Sequence, residues 1–406
     1  MKKFLQVALG IVTGIGGFLE VGSIATAAEA GASFRYTLIW AIALGTICLI
    51  FLVEMTGRLA AVSRHAVADA VRERFGFSFS VFPRIAEIIV NLLVIASEIG
   101  GVCLALKFVT GIEVRIWAIP VTLLIWLAIW AGTLGFIEDA TSVLGLVAVA
   151  FVVAAVKMHP DYHALLRSLV PSAPRQDAAH YWYIAVGILG ATISPYMFHF
   201  YGSGAIEDKW GEDSLGANRI TAALGMSFGA VMSVAVLVCA ALVLAPRGIQ
   251  VDRYEQAALV LIPALGRWGL PLFAGTLGVC CFGAAIEVSL ATAYMVSQTL
   301  GWNWGENKKP DREARFSMVY VLMLLLGGSL LLTGIDPLKL TMFAMAITAL
   351  ILPLVTLPFV ILLNDKQYVR DHTNGPIGNT VVILTILLAS IVAIVTIPLE
   401  MLGGSG

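Results

Sequence analysis

The sequence predicts an all-α integral membrane protein, a single bundle of about eleven transmembrane helices in which two groups of five repeat with inverted topology. Three observations carry this. Of the 406 residues, 59% are apolar and 13% charged, against roughly 45–50% and about 25% in soluble domains. The apolar residues gather into runs of bilayer length joined by short connections. Two of those runs, five spans apart, are interrupted by helix-breaking residues beside polar groups. A net charge of −1 offers no field for nucleic acid. Cys48, Cys103, Cys239, Cys280 and Cys281 all sit inside apolar runs without paired C-x-x-C spacing, which reads as buried small hydrophobes rather than zinc ligands or disulfides.

Crossing a hydrocarbon core takes about 20 apolar residues. Spans are expected near 4–33, 36–61, 83–110, 115–134, 136–158, 181–207, 219–246, 268–300, 315–335, 338–363 and 378–402. The first five form one repeat (about 4–158), the next five the second (about 181–363), and the last is an additional helix (about 378–402), all within one transmembrane domain, 1–406. The longest polar stretches, Ser63–Arg84 and His159–His180, read as loops or short surface helices. With the N-terminus in the cytoplasm, 15 of the 25 Lys and Arg fall on the inner side, Arg64, Arg72, Arg74 and Lys366 among them. Basic loops favour that face, and an odd number of spans then puts the C-terminus outside a plasma membrane crossed many times. Residues 1–27 imitate a signal peptide, but Gly10, Gly14, Gly16, Gly17 and Glu20 weaken its apolar region, so the segment is expected to remain as the first span.

The first interruption is Gly16-Gly17-Phe18-Leu19-Glu20-Val21-Gly22-Ser23. A carboxylate at the centre of a span costs several kcal/mol unless it has a partner or a task. The glycines let the helix unwind beside it, and the freed carbonyls must line a cavity or bind something. The second interruption is Ile193-Ser194-Pro195-Tyr196 in span six. Pro195 removes an amide donor and clashes with the preceding turn, and Ser194 and Tyr196 place hydroxyls on either side. Paired breaks at corresponding places in inverted repeats mark the substrate site of many transporters. Candidate binding residues are therefore Glu20, Val21, Gly22, Ser23, Ile193, Ser194 and Tyr196. A plain proline kink and a structural carboxylate would account for either break taken alone.

These residues resemble the natural resistance-associated macrophage protein (NRAMP) family. Gly22-Ser23-Ile24-Ala25-Thr26, Ala30-Gly31 and Trp40 are similar to its first spans, Gly190–Tyr196 to its sixth, and Ala349-Leu350-Ile351-Leu352-Pro353 to its tenth. The resemblance implies a LeuT-type fold and transport of divalent metals, with the metal as substrate and no cofactor. The site motifs depart from the family's. Its D-P-G-N reads Glu20-Val21-Gly22-Ser23 here, and its M-P-H reads Ser194-Pro195-Tyr196. A thioether has become a hydroxyl and an imidazole a phenol. The donors left are carboxylate, hydroxyl and carbonyl oxygens, which suit hard cations such as Mg²⁺ or Mn²⁺. Divergent relatives lacking that methionine include magnesium transporters. In span three Glu87 matches a family acid, whereas the aspartate of the family's proton route reads Val94, and the next acid falls near Ser97 with Glu98 adjacent. In span ten Met345 replaces a glutamine.

Other ionisable groups within the spans are candidates for an ion pathway: Glu29, Glu87, Glu98, His199 and Glu287. Glu54, Glu138 and Asp139 read as interface acids, and His65, His159, His163, His180 and His372 as solvated loop residues. Two further classes stay open on the residues alone: the same fold carrying an amino acid or other organic solute, and a receptor or scaffold that transports nothing. No nucleophile elbow, phosphate loop or H-E-x-x-H pair suggests an enzyme. The partners expected are a small substrate and membrane lipid, with no nucleic acid and no obligate protein partner.

Overall fold

The computed structural model describes residues 20–131, 145–172, 177–306, 310 and 312–403. The helices are α1 (Val21–Phe34), α2 (Ile39–Ser63), α3 (Phe77–Thr110), α4 (Val114–Trp130), α5 (Val149–Lys157), α6a (Ala178–Thr192), α6b (Tyr196–Glu207), α7 (Leu215–Val243), α8 (Gly269–Leu300), α9 (Ala314–Leu332), α10 (Pro337–Leu362) and α11 (Pro376–Gly403). Among the described residues, 8 helical stretches are long and apolar enough to cross a membrane. With α1, α4 and α5 they fall one to each expected span. Gly16 and Gly17 of the first interruption, together with Glu138 and Asp139, lie outside the described residues.

Local chemistry sets the ends. Asp336 caps α10 by accepting from the amides of Leu338 (2.9 Å) and Lys339 (3.1 Å), with Pro337 in the first turn where its missing N–H costs nothing. Gly111 and Gly301 close α3 and α8 in the left-handed region, at φ 73° and 68°. The two polar stretches contain the short helices Val67–Phe75 and Tyr162–Arg167, the latter capped by Asp161. Two boundaries differ from expectation. Span three starts at Phe77 rather than 83, with Pro83 carried inside the helix. The connection between α7 and α8 turns inward as the short helical turns Tyr254–Ala257, Ala258–Leu261 and Ile262–Leu265. Its apolar run, Ala257 to Leu261, is buried except for Leu259, because such a run is stable only against other apolar surface.

Helix α3 lies along α8, α1 packs on α7, and α10 touches α3, α6a and α11. The bundle therefore centres on α1, α3, α6, α8 and α10. At the end where α2 finishes, Arg58 pairs with Glu54 at 3.1 Å and bonds the His372 carbonyl and the Asn374 side chain. Asn218 of α7 joins the same group, donating to the Glu54 carbonyl and accepting from Tyr201 of α6b, both at 2.8 Å. Four elements are thus tied together there. The five cysteines are free and buried.

Candidate functional site at the paired breaks

Glu20 is extended (φ −101°, ψ 176°), and α1 begins at the next residue. In span six α6a stops at Thr192, Ile193 leaves the helical region (φ −104°, ψ 63°), and α6b restarts at Tyr196. Proline at 195 explains the restart, since its fixed φ suits a helix start and its ring forbids continuation from the previous turn. The two breaks meet. The Tyr196 hydroxyl donates to Glu20 Oε2 at 3.0 Å. The Ser194 hydroxyl lies 3.4 Å from Glu20 Oε1 and 3.2 Å from the Ala191 carbonyl. Its single hydrogen can serve only one of these at a time.

Glu20, Val21, Ser23, Ile193, Ser194 and Tyr196 are all buried, as is Gly22, and Ser23 has a polar contact of its own. Around them stand residues from other helices. Glu98 of α3 accepts the Val21 amide, at 3.2 and 3.4 Å to its two oxygens. A carboxylate there satisfies an orphan donor and complements the positive end of α1. The Cys281 thiol of α8 also bonds Glu98, and Glu287 lies close enough for its charge to act on Glu98 and Tyr196. On the opposite side of the first turn, the Tyr254 hydroxyl lies 3.4 Å from the Val21 carbonyl and 3.3 Å from Thr341 Oγ1.

Met345 of α10 is wedged between the breaks. Its sulfur lies where a Cβ on Gly22 would come within 2.5 Å, and its carbonyl where a Cβ on Gly190 would come within 1.9 Å. At Gly190 the obstacle is main chain, so only glycine lets α6a and α10 approach this closely, whereas at Gly22 it is the flexible end of the Met345 side chain. Of the other pathway candidates, Glu87 and His199 form a separate buried cluster with Arg84. Arg84 bonds Glu87 at 2.7 Å and meets His199 Nε2 at 2.8 Å, while that nitrogen lies 2.9 Å from Glu87 Oε1. Glu29 stands away from the breaks, at the end where α1 finishes. There it pairs with His180, whose place at the head of α6a corrects its reading as a solvated loop residue.

Sequence reasoning missed Tyr254, Arg84 and the pairing of His180. The signal for Tyr254 was the apolar run that follows it inside a connection. Arg84 sits three residues before Glu87, a helical ion-pair spacing. Among the described residues, no three His, Cys, Asp or Glu side chains converge to hold a metal. A cation at the breaks would meet Glu20, hydroxyls and main-chain carbonyls.

The sequence model of one family, natural resistance-associated macrophage protein-like, matches residues 10–398. A "Divalent metal cation transporter MntH" from Caldanaerobacter subterraneus is 24% identical over 408 residues, covering 97% of this chain and 92% of that protein. Among solved structures, a manganese transporter of Eremococcus coleocola superposes with a TM-score of 0.81 at 17% identity, covering 98% of this chain and 87% of the other. A nucleobase-cation-symport-1 family transporter in a closed conformation gives 0.64 at 14% identity, covering 96% and 91%. These likenesses establish the fold, a multi-pass helical membrane bundle of the LeuT type.

Proposed function

Because the chain belongs to the natural resistance-associated macrophage protein-like family, we propose that it carries divalent metal cations across the membrane by alternating access, with Mg²⁺ and Mn²⁺ preferred. The observation that carries this is the meeting of the two breaks on Glu20, a buried carboxylate approached by hydroxyls from Ser194 and Tyr196. An ionisable side chain buried within a span is by default a candidate ion site. The proposed ligands are the Glu20 carboxylate, the hydroxyls of Ser23, Ser194 and Tyr196, and the main-chain carbonyl of Ile193. The carbonyls of Val21 and Gly22 lie in the first turn of α1, where Gly22 accepts from Thr26 Oγ1 at 2.8 Å, and join only when that turn opens. Hard oxygen donors of this kind suit Mg²⁺ and Mn²⁺. The sulfur of Met345, against Gly22, adds one softer contact and tilts the pair toward Mn²⁺.

Alternating access requires the Val21 amide to leave Glu98 and the Tyr254 hydroxyl to leave the Val21 carbonyl as α1 moves, since both hold its first turn. Glu98 and Glu287 place two further carboxyl groups beside the path. The breaks also support two repeats, about 4–158 and 181–363, with α11 outside them. The basic loops support a cytoplasmic N-terminus and an external C-terminus in a plasma membrane. An organic solute has nothing in its favour beyond a fold shared with carriers of such solutes, and a scaffold would not need the carboxylate.

The test is Mn²⁺ and Mg²⁺ uptake into proteoliposomes by wild type and Glu20→Gln. The variant keeps the shape and loses the charge. Uptake should fall at least a hundredfold while the melting temperature stays within a few degrees. Equal uptake by the two proteins would end the assignment.

A further inference from the structure

At the end of the bundle where α1 finishes, Glu29 and His180 together join four segments. Its Oε1 accepts from Ser33 Oγ at 2.9 Å and faces His180 Nε2 of α6a at 3.2 Å. Its Oε2 accepts the amide of Val251, at the start of the α7–α8 connection, at 3.1 Å. The other ring nitrogen of His180, Nδ1, faces Glu400 of α11 at 3.1 Å. Three residues beyond Val251, Tyr254 reaches the first turn of α1. This connection therefore lies over the paired breaks, pinned to α1 at Glu29 and at Val21.

The chemistry of the pair of contacts is restrictive. The Ser33 hydroxyl and the Val251 amide already donate to Glu29, and His180 Nε2 faces the same carboxyl group. A neutral imidazole has one N–H and one lone pair, so facing two carboxylates it would set its lone pair against one of them. Only the imidazolium donates to both. The other groups near His180 do not supply that proton: Phe34 of α1 offers a ring face at 5.7 Å, the connection offers the Val251 amide, and Asp177 accepts the His180 backbone amide. His180 remains partly open, with 25% of its side chain accessible, so protons can reach it from that side.

We infer that Glu29, His180 and Glu400 form a proton-binding latch, distinct from the central site, that holds the α7–α8 connection over one mouth of the transport path. Proton binding favours the latched state, so by linkage acid on that side closes the mouth and alkali releases it. The latch rests on the proposed transport only for its consequence; its structural part stands without it.

Hydrogen exchange of segment 249–261 in the purified full chain tests it. From pH 5.5 to pH 8, a window straddling the ordinary imidazole value of about 6.5, wild-type protection corrected for intrinsic exchange should fall at least tenfold. In His180→Gln it should be independent of pH and below the wild type in acid. Glu400→Gln, one partner removed and packing kept, should weaken the response severalfold if His180→Gln folds poorly. PH-independent protection in the wild type, or a full wild-type response in either variant, overturns the latch. In proteoliposomes, acid on the His180 side should slow Mn²⁺ uptake in wild type and leave His180→Gln unaffected. Absence of uptake by every protein at every pH would sink the transport reading and leave the exchange result to judge the latch.

Discussion

Glu20 and Ser194 place a choice of cation at two atoms. With a hydroxyl from Ser194 beside the carboxylate, residue 194 itself does not discriminate in favour of soft ions. A thioether would, because sulfur stabilises softer metals selectively. Ser194→Met should therefore raise preference for Cd²⁺ or Co²⁺ over Mg²⁺ about tenfold in competition uptake, and unchanged preference would show that residue 194 does not face the ion. Most of this was legible at the residue scale: a lone acid beside glycines and a Ser-Pro-Tyr break announce themselves in sequence, and the structure brings them to 3.0 Å through Tyr196. His180 was not legible. Its partners lie 151 and 220 residues away, and no local pattern distinguishes such a histidine from a solvated one.

Among elements, the tightest constraint is where α6a crosses α10. A Cβ at 190 would sit 1.9 Å from the Met345 carbonyl, a main-chain atom that cannot swing aside. At Gly22 the obstacle is a flexible sulfur instead. Gly190→Ala should thus cost about 1–3 kcal/mol or more, read as a lowered melting temperature in detergent, whereas Gly22→Ala should melt close to wild type and alter transport. Helix existence follows from apolar runs of the right length, which is why, among the described residues, each expected span contains a helix. Rotation about the helix axis does not follow. The family resemblance puts Val94 at the aspartate of the proton route and the next acid near Ser97, with Glu98 adjacent, and says nothing of which residue faces α1. Packing against α8 decides it, turning Glu98 onto the Val21 amide. The inward fold of the α7–α8 connection was equally hidden, since an apolar run too short to span reads as ordinary loop until something covers it.

For the molecule as a whole, the fold class was readable because a bilayer permits so few backbone arrangements, while coupling to protons depends on particular pairs. Here Glu87 and His199 are already engaged by Arg84, so a proton passing through them must displace a guanidinium. Uptake should follow the substrate gradient and membrane potential without stoichiometric acidification of the vesicle interior, as an internal pH dye under potassium clamp would record; one proton per cation would contradict this. The length of α3 has another consequence. Its 34 residues extend about 51 Å at about 1.5 Å per residue, well beyond a hydrocarbon core of about 30 Å, while α9, with 19 residues, only just crosses. Phe77, Phe79 and Phe82 on the opening turns of α3 are exposed, an apolar surface that is stable only if lipid covers it. A thinner bilayer must lean α3 further over or leave those rings in water. Because the same helix holds Glu98 against the start of α1, membrane thickness bears mechanically on the central site. Turnover should change severalfold between lipids of 14 and 20 carbons, and less so in Glu98→Gln, where the grip on α1 is already loosened.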